Sequence, residues 1–535
     1  MRHERVRTHR RFAAVAGAVT IALAVTACGG GGKTDKKSDA SPAGATGAPG
    51  SSGDLTVLIT QETRGIDPAV STISSLNGGT QAAAVFDVLF WIDPKTGKAV
   101  PQLAEGATSD AEGKVWTIKL RPDVKFTDGT PLDAEAVKFN WERHQNPDNK
   151  SVAFAAAKGL TFEAVDATTL KVTLAAPNMA FDKLIAHNLA FIGSPTAIKA
   201  DPKGFMAKPV GAGPFKVKSW VRDSALTLER NTAYWAKDKP LLSQVTFKPV
   251  MDQTQRLNAL SAGQADLVTT ANFKMVAEAK DKGLTVAYDE KNGGFMTMFK
   301  TDKPPFDDPR ARRAYALIMD PADRAAKIQG PDGAGQTLKT FLMPSSPFVD
   351  PTAVMPSNNK VEAQALLDQL AAEGKPLKFT YTTNSSAAAH AGAEYWQAQT
   401  KGMKNIEMNL EFLDGSSYAT KVMIQKDFQA AEFAVTFDDP EPVLYNVLDS
   451  KGAENRTGYS NPKVDEALDK ARNSTDEAVR KAAYATVQQE LVKDLPFFSY
   501  EKSFAAAVQG KKGKIEGLTL FEDGLILFDR VSVKS

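Results

Sequence analysis

Apolar and polar residues alternate along Val115–Leu120, with Trp116, Ile118 and Leu120 on one side and Thr117 and Lys119 on the other. Period-two patterning predicts a half-buried strand. Leu55 to Thr60 reads as an earlier strand that opens the folded body. Phe162 to Leu174 reads as a hairpin, with Leu170, Val172 and Leu174 inward and Asp166-Ala167-Thr168 at the turn. A second pair, Phe215–Trp220 and Ala225–Glu229, flanks Arg222-Asp223-Ser224. Between these strands the period lengthens. Ala134, Val137 and Trp141 fall at helical spacing after Thr130-Pro131, which predicts a helix opening at that pair. Strands and helices alternate irregularly, so the class is mixed α and β.

The second half is richer in helical patterns. Asp308-Pro309 predicts an N-cap and first helical position, for a helix through Met319 with Ala314, Leu317 and Ile318 on its apolar face. Ser474 and Glu477 have the spacing of a capping box, before Val479, Ala483, Val487 and Leu491. Leu518, Leu520, Leu525 and Leu527 return the tail to a strand-like pattern. No internal repeat is evident.

The start of the chain follows a different logic. Arg2, Arg5, Arg7, Arg10 and Arg11 precede an apolar run from Phe12 to Ala27. That run of 16 residues is shorter than the roughly 20 needed to span a bilayer, so residues 1–27 read as a signal peptide. Arg10-Arg11 leaves both general and twin-arginine export open. Residues 28–53 are dominated by Gly, Ser, Ala, Pro, Thr, Lys and Asp without apolar periodicity, the composition of a flexible tether.

At 535 residues the chain is long enough for more than one domain. Net charge is +2; the first 27 residues hold five Arg and one Glu, or +4, leaving about −2 for the rest. A near-neutral body carries no electrostatic footprint for nucleic acid. Cys28 is the sole cysteine, so neither an intrachain disulfide nor a cysteine-rich metal site is possible.

Enzyme signatures are sparse. His3, His9, His144, His187 and His390 have no metal-ligand spacing. No Gly-x-Ser-x-Gly elbow occurs. Gly330 to Gly335 superficially resembles a phosphate loop, but Gln336 stands where its lysine belongs. Gly211-Ala212-Gly213-Pro214 lacks the third glycine of a dinucleotide fingerprint. Adjacent acids, Asp307-Asp308 and Asp438-Asp439, are commoner as caps than as catalytic pairs. No enzyme activity and no cofactor are expected.

Four blocks, in order, resemble the extracytoplasmic solute-binding proteins of ABC transporters, peptide/nickel-binding (family 5) type. The first runs from Leu103-Ala104-Glu105 through Leu120-Arg121-Pro122-Asp123-Val124-Lys125-Phe126-Thr127-Asp128-Gly129-Thr130-Pro131-Leu132 to Val137. The second is Pro209-Val210-Gly211-Ala212-Gly213-Pro214-Phe215 through Trp220. The third is Pro305-Phe306-Asp307-Asp308-Pro309-Arg310 through Asp320. The fourth is Ser460-Asn461-Pro462-Lys463-Val464-Asp465 with the later Leu495-Pro496-Phe497. Val25-Thr26-Ala27-Cys28 is similar to a bacterial lipobox, whose cysteine is acylated.

The resemblance implies an α/β, two-lobed periplasmic-binding-protein-like clamp. Lobe I would comprise 54–290 with an extra subdomain at about 86–208, lobe II 291–501, and residues 502–535 would return to lobe I. The implied function is capture of oligopeptides or similar small solutes in the interlobe cleft, followed by delivery to ABC transporter permease subunits. The alternatives are a non-peptide solute (a nickel chelate, sugar or other cationic compound) or a ligand sensor. The protein would act as a monomer, lipid-anchored through Cys28 at the extracellular face of the cytoplasmic membrane. Members that bind peptides hold the amino terminus with an Asp in a stretch similar to Thr436-Phe437-Asp438-Asp439-Pro440, which here is shorter and lacks a preceding Trp. Asp438, then Asp439, are the expected amine anchors, with Phe437 and Thr436 beside them. Gln61 and Glu62 after the first strand, and Gly294 and Phe295 at the crossing into lobe II, complete the expected ligand-binding set.

Overall fold

The computed structural model describes residues 53–75, 78–330, 335–511 and 514–534. The expected signal peptide, Cys28 and nearly all of the expected tether lie outside the described residues, as does the middle of the 330–335 loop.

Apolar residues from distant parts of the chain collect into three large cores. One joins Leu55, Val57, Phe215, Leu228, Phe247 and Leu267 to Ala505, Ala507, Ile526 and Phe528 from the tail. A second gathers Trp116, Ile118, Trp141, Leu170, Val172, Phe181 and Ile185. It lies against a four-stranded sheet in which Val115–Leu120 is flanked by Ala104–Ser109 and Thr169–Thr173, with Thr161–Asp166 outermost. The third core extends from Met296 to Tyr500 and includes Tyr315, Phe379, Trp396, Phe437 and Leu491. Every strand read in the first half of the sequence is present, and the residues read as inward in Val115–Leu120 (Trp116, Ile118 and Leu120) and in the hairpin (Leu170, Val172 and Leu174) are buried.

A ten-stranded sheet joins the first and third cores. From one edge its order is Ile406–Leu413, Leu377–Asn384, Ala430–Phe437, Thr285–Phe299, Phe497–Gln509, Leu267–Thr270, Asp54–Ile59, Gln244–Pro249, Ala225–Arg230 and Phe215–Val221. The two long central strands pass from one core to the other as antiparallel partners. Thr285–Lys291 pairs with residues 503–509, and Phe295–Met298 with 497–501. The register shifts between Lys291 and Phe295, where Gly293 and Gly294 adopt φ values of 85° and 143°. A Cβ on Gly293 would stand 2.1 Å from Val435 O, and one on Gly294 2.2 Å from Glu501 O. Both positive φ and close backbone approach demand glycine in this bulge.

Three local expectations are corrected. The Ala134–Gln145 helix is capped by Asp133, whose carboxylate accepts from Ala136 N at 2.9 Å, so Thr130-Pro131 belongs to the preceding loop. Asp476, rather than Ser474, caps Glu477–Asp494 by accepting from Ala478 and Val479 N–H groups. In both cases a carboxylate closer to the helix satisfies the orphan donors. The leucines of 518–527 do not form a strand. Phe521 and Leu525 exchange two backbone bonds around Glu522-Asp523-Gly524, a tight turn with φ of 44° at Glu522 and 76° at Gly524. The turn preference of Asp-Gly outweighs the leucine spacing there.

Candidate ligand-binding cleft

A cavity of about 660 Å³ opens between the third core and the other two. This is within the usual range for small-molecule sites, about 300–1,000 Å³. One wall is built from Ser71–Ser74, Val152, Ala153, His187, Asn188, Ala271, Ser503 and Asp523. The facing wall brings Phe295, Phe433–Thr436, Glu454 and Arg456.

The Ala430–Phe437 strand contributes four consecutive residues, 433–436, to this lining. A strand that presents a face shows alternate residues; four in succession indicate an edge. Its opposite edge pairs with Thr285–Phe299 along its whole length. On the cleft side Leu377–Asn384 meets it only at Ala430 and Ala431, and no other described segment extends that ladder. The backbone from Phe433 to Thr436 is therefore an unextended sheet edge inside a cleft.

The sequence-derived residues separate into two groups. Thr436 and Phe295 line the cavity. Thr436 Oγ1 shares a 2.6 Å hydrogen bond with Ser503 Oγ of the facing wall. Asp438, Asp439, Phe437, Gly294, Gln61 and Glu62 lie elsewhere. Asp438 Oδ1 accepts from the buried Lys291 ammonium at 2.7 Å, and its Oδ2 accepts from Glu522 N at 2.9 Å. Burial pushes this carboxyl up and Lys291 pulls it back. Asp439 bridges Lys183 and Arg480, each at 2.6 Å. Phe437 is fully buried in the third core. Gly294 forms the crossing bulge. Glu62 accepts from Trp220 Nε1 at 2.6 Å, beside a different surface hollow that Gln61 also borders.

The polar groups of the cleft were mostly silent in the sequence. His187 Nδ1 stands 3.4 Å from Glu522 Oε2. Burial disfavours its charged ring, but Glu522, Glu454 and Asp523 outweigh that and raise its pKa. Asp523 accepts from Ser74 Oγ at 2.6 Å. Burial, with Glu522 adding, keeps the Asp523 carboxyl above its ordinary range. Arg456 lies over the Phe433 ring at 5.5 Å and reaches Glu454 at 3.3 Å. Its Nε is buried with no hydrogen-bond partner among the described residues. A lone histidine, an Asp-Gly pair within a tail read as strand-like and an Arg after Asn carry no common motif; the Asp-Gly pair could have signalled a turn and nothing more.

Residues 98–455 match the family model for bacterial extracellular solute-binding proteins, family 5, middle region. The chain belongs to family 5 of these solute-binding proteins. This is the family of ABC-importer receptors that the four ordered blocks resemble, and the two-lobed α/β clamp expected from them is the observed fold. The glutathione-binding protein GsiB of Pectobacterium atrosepticum is 29% identical over 480 residues, covering 84% of this chain and 88% of the relative. The oligopeptide-binding protein AppA of Bacillus subtilis, solved with a nonapeptide, shares the fold at a TM-score of 0.77 and 20% identity, covering 91% of this chain and 100% of that one. The binding protein AgaA of A. tumefaciens R10, solved with agropinic acid, matches at 0.77 and 22%, covering 90% and 99%. Members of family 5 bind solutes outside the cytoplasm for transport, so this chain is a binding protein and not an enzyme. Among the described residues no helix is long and apolar enough to cross a membrane.

Proposed function

We propose that this protein captures short peptides with free termini in its interlobe cleft and hands them to an ABC permease. The observation that carries this reading is the bare edge of Phe433–Thr436 facing the cavity. An extended peptide laid along such an edge gains main-chain hydrogen bonds whatever its side chains. Arg456, with an unpartnered Nε on the same wall, supplies a positive pole for the peptide carboxylate. Glutathione and a nonapeptide, the named ligands of GsiB and AppA, are both peptides. AgaA holds agropinic acid on the same fold, so fold alone does not choose the ligand; the exposed strand edge favours a peptide.

Thr436 and Phe295 are the proposed ligand contacts from the sequence-derived set. Asp438 and Asp439 are proposed to hold the lobes together, since their carboxylates engage Glu522 N and Lys183 across the cleft. Lobe boundaries near 290 and 501 belong to the same reading, supported by the separate cores and the register shift. The protein is further proposed to act as a monomer tethered through a lipid on Cys28.

Calorimetry with a tripeptide and its N-methylated analogues tests the peptide reading. Methylating one paired amide should weaken binding by about tenfold, the scale of one lost hydrogen bond plus a steric clash. A methyl scan that leaves affinity flat would refute pairing along the strand edge.

A further inference from the structure

The bare edge of the Ala430–Phe437 strand is stopped at both ends. Lys300 N donates to Gln429 O at 2.9 Å, which fixes the phase of the ladder between this strand and Thr285–Phe299. Successive residues in an antiparallel ladder point their N–H and C=O groups to alternate sides. Residues 431, 433, 435 and 437 therefore turn theirs toward Thr285–Phe299, and 430, 432, 434 and 436 turn theirs to the cleft edge. Leu377–Asn384 covers that edge at Ala430 and Ala431. Next along it, Glu432 O accepts from the Tyr418 hydroxyl. Past the strand end, Asp438 O accepts from Asn292 Nδ2 at 3.0 Å. Between these stops, the backbone N–H and C=O groups of Ala434 and Thr436 have no partner among the described residues.

Both stops are built into the fold. Tyr418 ends the first of two short helical turns, Gly415–Tyr418 and Ala419–Ile424. Asp414 caps them by accepting from Ser416 and Ser417 N–H groups, Val422 pins them into the third core, and Met423 lines the cavity. At the other end the Thr436–Ser503 hydrogen bond joins the two walls. Ala434 to Thr436 spans about 6.8 Å at the rise of a strand, enough to engage about three residues of an extended guest. The volume agrees. A strand occupies about 4.8 Å by 10 Å in cross-section, so 660 Å³ holds about 14 Å of it, or about four residues.

We propose that the cleft takes peptides of about three to four residues, and that Tyr418 sets this ceiling by closing the Glu432 end of the strand edge. This rests on the peptide reading above and adds a length to it. A longer guest finds no further backbone to pair with beyond Ala434 and Thr436. It must also displace either the Tyr418 ring or the Thr436–Ser503 contact. Each residue beyond the fourth therefore adds ordering cost without a new main-chain bond.

Calorimetry with alternating alanine–serine peptides of two to nine residues tests this in wild-type protein, Tyr418→Ala and Tyr418→Phe. In wild type, affinity should peak at three or four residues and fall by about tenfold or more at six. Tyr418→Ala removes ring and hydroxyl together, and the six-residue peptide should then bind within about threefold of the three-residue one. Tyr418→Phe removes only the hydroxyl, which frees Glu432 O, and should recover part of that gain. It stands in if Tyr418→Ala misfolds. Wild type that holds nine residues as tightly as three overturns the ceiling and leaves peptide binding standing. A ceiling that stays at four residues in both variants overturns the role of Tyr418. Wild type that binds no member of the series defeats the peptide reading and the ceiling with it.

Discussion

Lys183 Nζ lies 2.6 Å from Asp439 Oδ2, and the two side chains belong to elements packed into different cores. Lys183 is on the Phe181–Asn188 helix, whose Phe181 and Ile185 sit in the second core. Asp439 follows the Ala430–Phe437 strand of the third core and is also held by Arg480. The bond therefore crosses the cleft, while Arg480 secures Asp439 within its own lobe. Lys183→Met should leave each lobe folded, because Asp439 keeps Arg480, but should weaken the closed state. A hydrogen bond to a charged group contributes about 1.5–3 kcal/mol, so ligand affinity should fall roughly tenfold or more. Titration of ligand into the variant, with a denaturation curve as the folding control, measures this. Undiminished affinity would deny the bond any part in closure.

Gly294→Ala places a methyl 2.2 Å from Glu501 O at a φ of 143°. Neither the backbone angle nor the space is available to alanine. A loss of about 2–4 kcal/mol is expected, concentrated where the two long strands cross. The denaturant midpoint of purified variant against wild type reads it, and a midpoint unchanged from wild type would show that the crossing relaxes freely.

His144 is buried, with Nδ1 2.6 Å from Ser151 Oγ, and burial with Arg143 nearby depresses its pKa to about 4. Its unfolded value is about 6.5, so the folded state binds fewer protons between those limits. The resulting stability is fully present above pH 6.5 and is lost as pH falls through 4, about 3 kcal/mol in all. Asp87, pushed up to about 6 by burial and Asp529, runs the other way, its share declining as pH rises. The difference between wild type and His144→Gln isolates the histidine. Urea midpoints from pH 7.5 to 4 should fall less steeply in the variant, and parallel profiles would exclude His144 as the source.

Cys28→Ala should release the protein from the membrane fraction into the medium and abolish incorporation of labelled palmitate. Continued incorporation would place the lipid elsewhere.

Much of the framework was legible because its signals are local. Trp116, Ile118 and Leu120 alternate over six residues, and Asp308-Pro309 announces its helix within two. The family was legible because four such blocks keep their order. The cleft was not. Its walls draw on Ser71–Ser74, His187, Phe433–Thr436, Arg456 and Asp523, segments hundreds of residues apart that meet only after the cores form. Asp438 and Asp439 attracted notice because Thr436-Phe437-Asp438-Asp439-Pro440 resembles the stretch that holds the ligand amine in peptide-binding members. What sequence could not supply was the position of Lys291 and Lys183, which reach those carboxylates from 147 and 256 residues away.

The glycine bulge between the two long strands also limits how the molecule can move. Chain that passes between halves as free loop permits twisting and sliding in any direction. Two strands bonded to each other on both sides of a bulge behave more like a torsion bar, soft about one line and stiff about the rest. The jaws should accordingly swing along a single arc about Gly293 and Gly294. A membrane partner touching only the outer surfaces could then tell an occupied receptor from an empty one by angle alone.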